Sequence, residues 1–516
     1  MSMRIFQAFA YLLILWILAS IVSHIISPLR TIPGPFAARF TKLWFFYRVW
    51  QGKFHEDNIA LHRKYGAVVR YAPRHYSFNT AEAVKAIYLT KGRELDKSSW
   101  YSAWNAPGIN SLFTEPSVKA HAQLRRKFQS TYSISSLVTY EEFADHCIGL
   151  MKEKLNAVAR SHGQADMATW FLCYAADTVA MISYSKRMGF LDRGEDVDDF
   201  FKILRGNMFY NTTMGVYSAL HPIVYKIRAW LAKLKVMPET PRMSIGGFTT
   251  RLVSEKRKQR EGKEKHQAQL TDEDGVAAPK DFLSKFLEFN EQDPSRFTER
   301  DIQVGLMANV IAGADTTAAA LSAILYCLLR HSTVLAKLRS EIDGRLSEGE
   351  LSSPPSFKEV QQMPYLHAVI QESQRLYPQG ALPLQRVVPE GGLDISGHSF
   401  PAGTVVGVNS WVLHLNTDIF GEDAALFRPE RWLDSDREQV AYMNRHFMTF
   451  GLGSRACIGK HVSMLEMSKL VPELVRSFDF GLEEDKIEHY GASWEWIAYW
   501  LMRPTSLPVQ IRRRQV

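Results

Sequence analysis

The stretch Phe450-Gly451-Leu452-Gly453-Ser454-Arg455-Ala456-Cys457-Ile458-Gly459 sets how the rest of the chain is read. One cysteine stands among three glycines, with an arginine two residues before it and a phenylalanine seven before it. Glycine lets a backbone turn through conformations that other residues resist, and lets it approach a flat ligand closely. A loop of this kind can aim several backbone N–H groups at one sulfur and hold it as a thiolate. A thiolate so placed ligates iron, and a neighbouring arginine suits a carboxylate-bearing cofactor such as haem. The loop alone fits equally a small buried cysteine in a glycine-rich turn. Its portion Gly451 to Ala456 also matches the looser dinucleotide fingerprint G-x-G-x-x-A, the mark of an NAD-dependent dehydrogenase. That fingerprint needs a preceding strand, a βαβ unit and an acidic residue about 20 positions on. The loop lies late in the chain, and no second strand follows at that spacing.

Composition narrows the field. The chain has 516 residues, 46% of them hydrophobic, enough for two domains or one large, mostly helical unit with a sizeable core. Its 4 cysteines are far apart and form no C-x-x-C pair, which argues against a cysteine zinc site or a disulfide framework and for a reducing compartment. A net charge of +8 without an Arg/Lys-rich tract excludes nucleic acid as the expected partner, while an acidic protein surface or an anionic membrane is compatible. Neither H-E-x-x-H nor G-x-S-x-G occurs, so zinc-peptidase and α/β-hydrolase readings have no support.

Between Ile5 and Leu29 there is no Asp, Glu, Lys or Arg, a run about long enough to cross a bilayer. The run passes straight into Ser27-Pro28-Leu29-Arg30, so residues 1–30 are expected to be a retained anchor rather than a cleaved signal peptide. Arg30, Arg39 and Lys42 follow it and only Arg4 precedes it, which places the bulk of the chain in the cytosol and leaves the sequon at Asn211 unused. Residues 31–60 are expected to form a proline-containing linker and a first helix, and residues 61–516 a catalytic domain. Tyr65 to Asn79 reads as a short hairpin around Pro73, and Ala81 to Ser347 as mainly helical. The charged stretch from Glu255 to His266 reads as a solvated helix end or loop. Strands and tight turns are expected between Leu393 and Val408, and a final strand near Val509.

Three further elements carry chemistry. Thr298 to Arg330 is the longest helical pattern, opened by a capping-box-like Thr298/Asp301 pair and carrying Ala312-Gly313-Ala314-Asp315-Thr316-Thr317 in its middle. Small residues there would admit a planar ligand, or equally a close helix–helix crossing with hydroxyls bonded to the preceding turn. Glu372 and Arg375 share a helix face, as do Glu473 and Arg476, a pattern that is usually a surface ion pair. Phe427-Arg428-Pro429-Glu430-Arg431-Trp432 by itself is only a charged turn.

Taken in order, small-Gly-x-Asp-Thr-Thr, Glu-x-x-Arg, Pro-Glu-Arg-aromatic and Phe-x-x-Gly-x-Arg-x-Cys-x-Gly resemble the cytochrome P-450 family of haem-thiolate monooxygenases, over essentially the whole chain. Pro33-Gly34-Pro35 after an anchor is similar to microsomal members. Pro33 to Phe40 and Lys186 to Leu191 look like the filamentous-fungal, pisatin-demethylase group. The resemblance implies haem b as cofactor, with Cys457 as axial ligand of its iron, Phe450 beside the sulfur, and Arg455, Arg125 and Arg386 on the propionates. His121 stands where the family commonly has tryptophan, and would donate a hydrogen bond there. Glu372, Arg375 and Arg431 would form a buried charge network, and Thr316 with Asp315 would deliver protons. The fold implied is mainly α with a minor antiparallel β-sheet and an N-terminal transmembrane helix. The expected partners are a lipophilic small molecule, O2, the endoplasmic reticulum membrane and an NADPH–cytochrome P-450 reductase met by Arg126, Lys127 and Lys460. The substrate pocket would draw on Tyr101 to Phe113, on Ala308, Asn309 and Ala312, and on Ala381 and Leu382. An isomerase or dehydratase on the same scaffold is the alternative, against which Thr316 weighs.

Overall fold

The structure is a computed structural model. It describes residues 24–161, 163–234, 241–264, 280–482 and 495–515, with positions 7, 11, 15, 18, 19, 21 and 22 before them. The expected anchor, residues 1–30, therefore lies largely outside the described residues, as does His266. The described positions from 7 to 26 are helical, with Tyr11, Leu15, Leu18, Val22, Ile25 and Ile26 exposed. Two helices, Leu43–Trp50 and Phe54–Tyr65, follow the proline turn.

The helices that bear on the site are α1 (Val118–Phe128), α2 (Met167–Tyr184), α3 (Phe200–Val216), α4 (Glu299–Arg330), α5 (Pro364–Leu376) and α6 (Lys460–Ser477). The long α4 begins as its sequence requires. Thr298 accepts the Asp301 N–H and Asp301 accepts the Thr298 N–H, a complete capping box. Among the described residues α4 is the one helix long and apolar enough to cross a membrane. However, 72% of its most apolar window is buried inside the protein, so it is the spine of the core. α2 lies along it, and Gly313 is the reason they come so close. A Cβ built there would sit 2.8 Å from Val179 Cγ2 on α2. Gly313 thus serves a helix crossing, and the planar-ligand reading of the small residues falls to Ala308 and Ala312.

The strands are β1 (Val68–Ala72), β2 (His75–Phe78), β3 (Gln164–Asp166), β4 (Arg386–Val387), β5 (Leu393–Ile395), β6 (His398–Phe400), β7 (Val405–Val408), β8 (Phe478–Leu482), β9 (Trp496–Tyr499), β10 (Leu501–Pro504) and β11 (Pro508–Arg513). Among the described residues they form four small sheets, ordered β1-β2-β7-β4, β3-β11-β8, β9-β10 and β5-β6. The hairpin at Pro73 and the strands between Leu393 and Val408 form as their turn residues predict. Among the described strands the expected antiparallel pairing holds except at one place, since β2 and β7 pair in parallel. Parallel strands need a long crossover, and here most of the chain runs between the two. The sequon's Thr212 and Thr213 are buried on α3.

Candidate functional site

The cysteine loop is built by backbone geometry. Gly451 and Gly453 adopt φ of +67° and +65°, and a Cβ on Gly453 would fall 2.2 Å from the Tyr88 carbonyl oxygen. Only glycine fits there. The Cys457 N–H donates to the Phe450 carbonyl at 2.7 Å and the Gly451 N–H to the Met448 carbonyl at 2.8 Å, folding the loop back on itself. Arg125 on α1 donates to the Ala456 carbonyl at 2.6 Å. Phe450 lies under the Lys460 ammonium, 5.6 Å from its ring centroid.

Cys147, Cys173 and Cys327 are buried, while Cys457 is exposed. Yet desolvation is the largest influence on the Cys457 thiol and pushes its pKa up, opposed by the backbone N–H groups of Gly459 and Lys460 and by Arg125. A group both accessible and surrounded by protein borders an internal void. On α4, Ala308 and Ala312 are exposed and Thr316 is half-buried, although the helix is otherwise mostly buried. Residues four apart share a helix face, so this accessible stripe marks the side of α4 that meets open space. The Thr316 hydroxyl donates to the Ala312 carbonyl at 2.7 Å, which leaves its oxygen lone pairs for an incoming donor. Asp315 is buried, and burial pushes its carboxyl up, against Arg503 on β10 and Arg205 on α3. The Arg503 Nη1 is itself buried without a hydrogen-bond partner.

A cluster of cations adjoins the loop. Arg386 is buried, donating to the Gln385 carbonyl at 2.9 Å. Arg455 donates to the carbonyls of Glu115 and Pro116, while its Nε has no partner. Burial, and then Arg386, lowers Arg455 to about 10. His121 is held near 3 by burial and by Lys97, Arg455, Arg125 and Arg386, so its imidazole is neutral at physiological pH. Lys97 completes the group and was not legible in advance. It is buried, pushed well below an ordinary lysine by burial and then by Arg386 and Arg455, and its Nζ donates to the Phe113 carbonyl at 2.6 Å. Its bridge to Arg386 across the chain is a backbone pairing that no sequence motif announces. Buried like charges at this density call for anions. A flat group carrying iron and two carboxylates fits all three features: the accessible sulfur, the small-residue face of α4 and the uncompensated cations.

The charge network stands behind the loop. Glu372 and Arg375 are fully buried, with the Arg375 Nε 2.9 Å from Glu372. Glu372 also accepts from the Arg431 Nε at 2.8 Å and the Trp432 Nε1 at 2.9 Å. His414 joins this network to the cysteine loop. One ring nitrogen donates to the Arg375 carbonyl and the other accepts the Met448 N–H, each at 2.8 Å. Glu473 and Arg476, which read as an ordinary surface pair, are also buried together, on α6. Two expected contacts change. Ala381 and Leu382 are buried and face no opening. Lys127 is engaged by Asp301 at 2.8 Å, which leaves Arg126 and Lys460 as the exposed cations of that face.

These features define a haem-thiolate enzyme, and comparison with known proteins agrees. Residues 32–496 match the cytochrome P-450 family, and the chain belongs to it. It is a cytochrome P-450 monooxygenase by family, and haem b is that family's cofactor. A pisatin demethylase of Fusarium vanettenii is 36% identical across 96% of this chain and 90% of its own length. A cytochrome P-450 monooxygenase of Aspergillus terreus is 34% identical across 87% and 90%. One from Penicillium aethiopicum is 31% identical across 100% and 98%.

Proposed function

We propose that this chain inserts one oxygen atom of O2 into a lipophilic small molecule of fungal secondary metabolism, the other oxygen leaving as water. Two electrons come from NADPH through a separate membrane-bound cytochrome P-450 reductase that meets the face carrying Arg126 and Lys460. The observation that carries the reading is Cys457, which opens onto an internal void with the Gly459 and Lys460 N–H groups turned to its sulfur. Cys457 would hold the iron and Phe450 would shield the sulfur. Arg125, Arg386, Arg455, Lys97 and neutral His121 would hold the carboxylates. The bound haem supplies the activation of dioxygen. This chain's residues bind and orient the reactants, exclude water and move protons.

Thr316 and Asp315 have the proton task. The Thr316 oxygen can accept a hydrogen bond from the cavity while its own proton rests on Ala312. Asp315, desolvated and facing two guanidinium groups, can exchange a proton with little change in its surroundings. In a reconstituted system with reductase and NADPH, Thr316→Ala is expected to lower the fraction of reducing equivalents reaching product by about tenfold or more, with peroxide released instead. NADPH consumption should persist. Unchanged coupling would remove Thr316 from this role. An isomerase or dehydratase would turn over without O2, so an anaerobic assay separates that reading.

The proposed site of action is the cytosolic face of the endoplasmic reticulum, with residues 1–30 as a single-pass anchor. Ile223, Ile227 and Trp230 lie exposed on the helix His221–Lys233, and Leu43, Tyr47 and Trp50 on the helix Leu43–Trp50, which supports contact with an apolar phase. The full chain should stay in the membrane pellet after alkaline carbonate extraction. Release into the supernatant would sink the anchor.

A further inference from the structure

The turn between β9 and β10 consists of a single residue, because Tyr499 and Leu501 pair directly across it. That residue is Trp500, and its φ is +66°. Bulky side chains rarely adopt that conformation, and where one does the surroundings must hold it there for a reason. The Trp500 carbonyl accepts the Ala381 N–H at 2.8 Å, and the neighbouring Met502 N–H donates to the Gln379 carbonyl at 2.8 Å, so the turn is clamped along one edge to residues 379–381.

The clamp delivers the indole into a box of rings. Its centroid lies 5.1 Å from that of Trp100, 5.8 Å from Phe113, 6.1 Å from Tyr101 and 6.4 Å from Trp104. Phe113 in turn stands edge-to-face with Tyr101 at 5.3 Å and with Trp104 at 5.4 Å. Four of these five rings are buried; Phe113 alone is 36% exposed. It is the ring that the box presents outward. It also lies within 5.4 Å of the Lys97 ammonium, which ties it to the cation cluster beside the cysteine loop. β10 packs on α4, whose accessible stripe is Ala308 and Ala312.

From this juxtaposition we infer that the substrate is a planar aromatic molecule, seated in a slot between the outward ring of Phe113 and the alanine face of α4, with Trp500 fixing the ring wall. The inference rests on the haem-thiolate reading of the same site. A wall of methyl groups is flat, and rings held rigidly by their neighbours offer both faces and edges to a flat guest. A saturated molecule of the same carbon skeleton is thicker and gains no ring–ring term.

Phenanthrene and perhydrophenanthrene share one carbon skeleton and differ in planarity and aromaticity. Their dissociation constants can be measured on the haem-loaded full chain by equilibrium dialysis, and separately by the spin-state shift of the Soret band. Phenanthrene should bind at least tenfold tighter. Phe113→Leu should abolish that preference and leave perhydrophenanthrene within twofold, while Phe113→Tyr should keep it. Trp500→Leu should weaken phenanthrene in the same direction. A wild-type protein with no preference, or a preference untouched in Phe113→Leu, overturns the inference. A wild type that shows the thiolate CO band but no preference fails this inference alone, whereas one without that band fails the underlying reading too.

Discussion

Cys457→Ala is expected to abolish the red-shifted Soret band of the reduced, CO-bound protein while leaving the fold intact. The Cys457 side chain faces the void rather than the core, so its removal opens no packing defect. The loop keeps its shape through backbone contacts that alanine retains: Cys457 N–H to Phe450, Arg125 to Ala456, and the two glycines at positive φ. No other cysteine can substitute. Burial pushes Cys147 and Cys173 up to about 12 and Cys327 higher still, and each is enclosed in the core. The check is a CO-difference spectrum beside far-UV circular dichroism and a thermal melt of the same sample. A retained thiolate band would remove Cys457 as the ligand; a collapsed far-UV spectrum would mean the loop has a structural duty that its contacts do not reveal.

Glu372→Gln should be the most damaging substitution for stability. The change keeps the side chain's size and removes its charge, which leaves Arg375 and Arg431 as buried cations without their shared partner. Removing one member of a buried pair costs about 3–5 kcal/mol, against a total stability of about 5–15 kcal/mol for a typical domain. Part of the loss is offset, because Arg431 keeps Asp423 at 2.8 Å and Arg375 keeps the His414 and Ala424 carbonyls at 2.6 Å. The expected result is a markedly lower melting temperature and poor recovery of haem-loaded protein. A melting temperature equal to wild type would show that the network contributes specificity rather than stability.

Much of this architecture could be read from the residues, and the exceptions have physical causes. The start of α4, the Pro73 hairpin and the cysteine loop are local structures specified by local residues, so their sequences predict them. Glu372/Arg375 and Glu473/Arg476 are different. Both are Glu-x-x-Arg on a helix face, and nothing within either helix says that both are buried, since burial is decided by what packs on them from elsewhere. Gly313 could have served a ligand or a crossing, and only the position of Val179 on α2 decides. Lys97 is one lysine among many until its backbone pairs with Arg386. Trp500 is still less legible, because a tryptophan at positive φ contradicts local preference and is held by Ala381, far away in the chain.

The chain of contacts from Arg375 through His414 to Met448 also has a bearing on the order in which the pocket can be assembled. Glu372, Arg375, His414 and Arg431 all precede the cysteine loop in the chain, so the bed for the loop is synthesised first. The rest of the pocket is not. Trp500 lies after Cys457, and β11, later still, pairs Pro508 with Asp166 of β3. Until residues 500–513 have followed, the aromatic wall is missing and the edge of β3 is unpaired. The pocket that Cys457 serves is therefore assembled in order along the chain, the cysteine loop first and its aromatic wall and sheet edge after it.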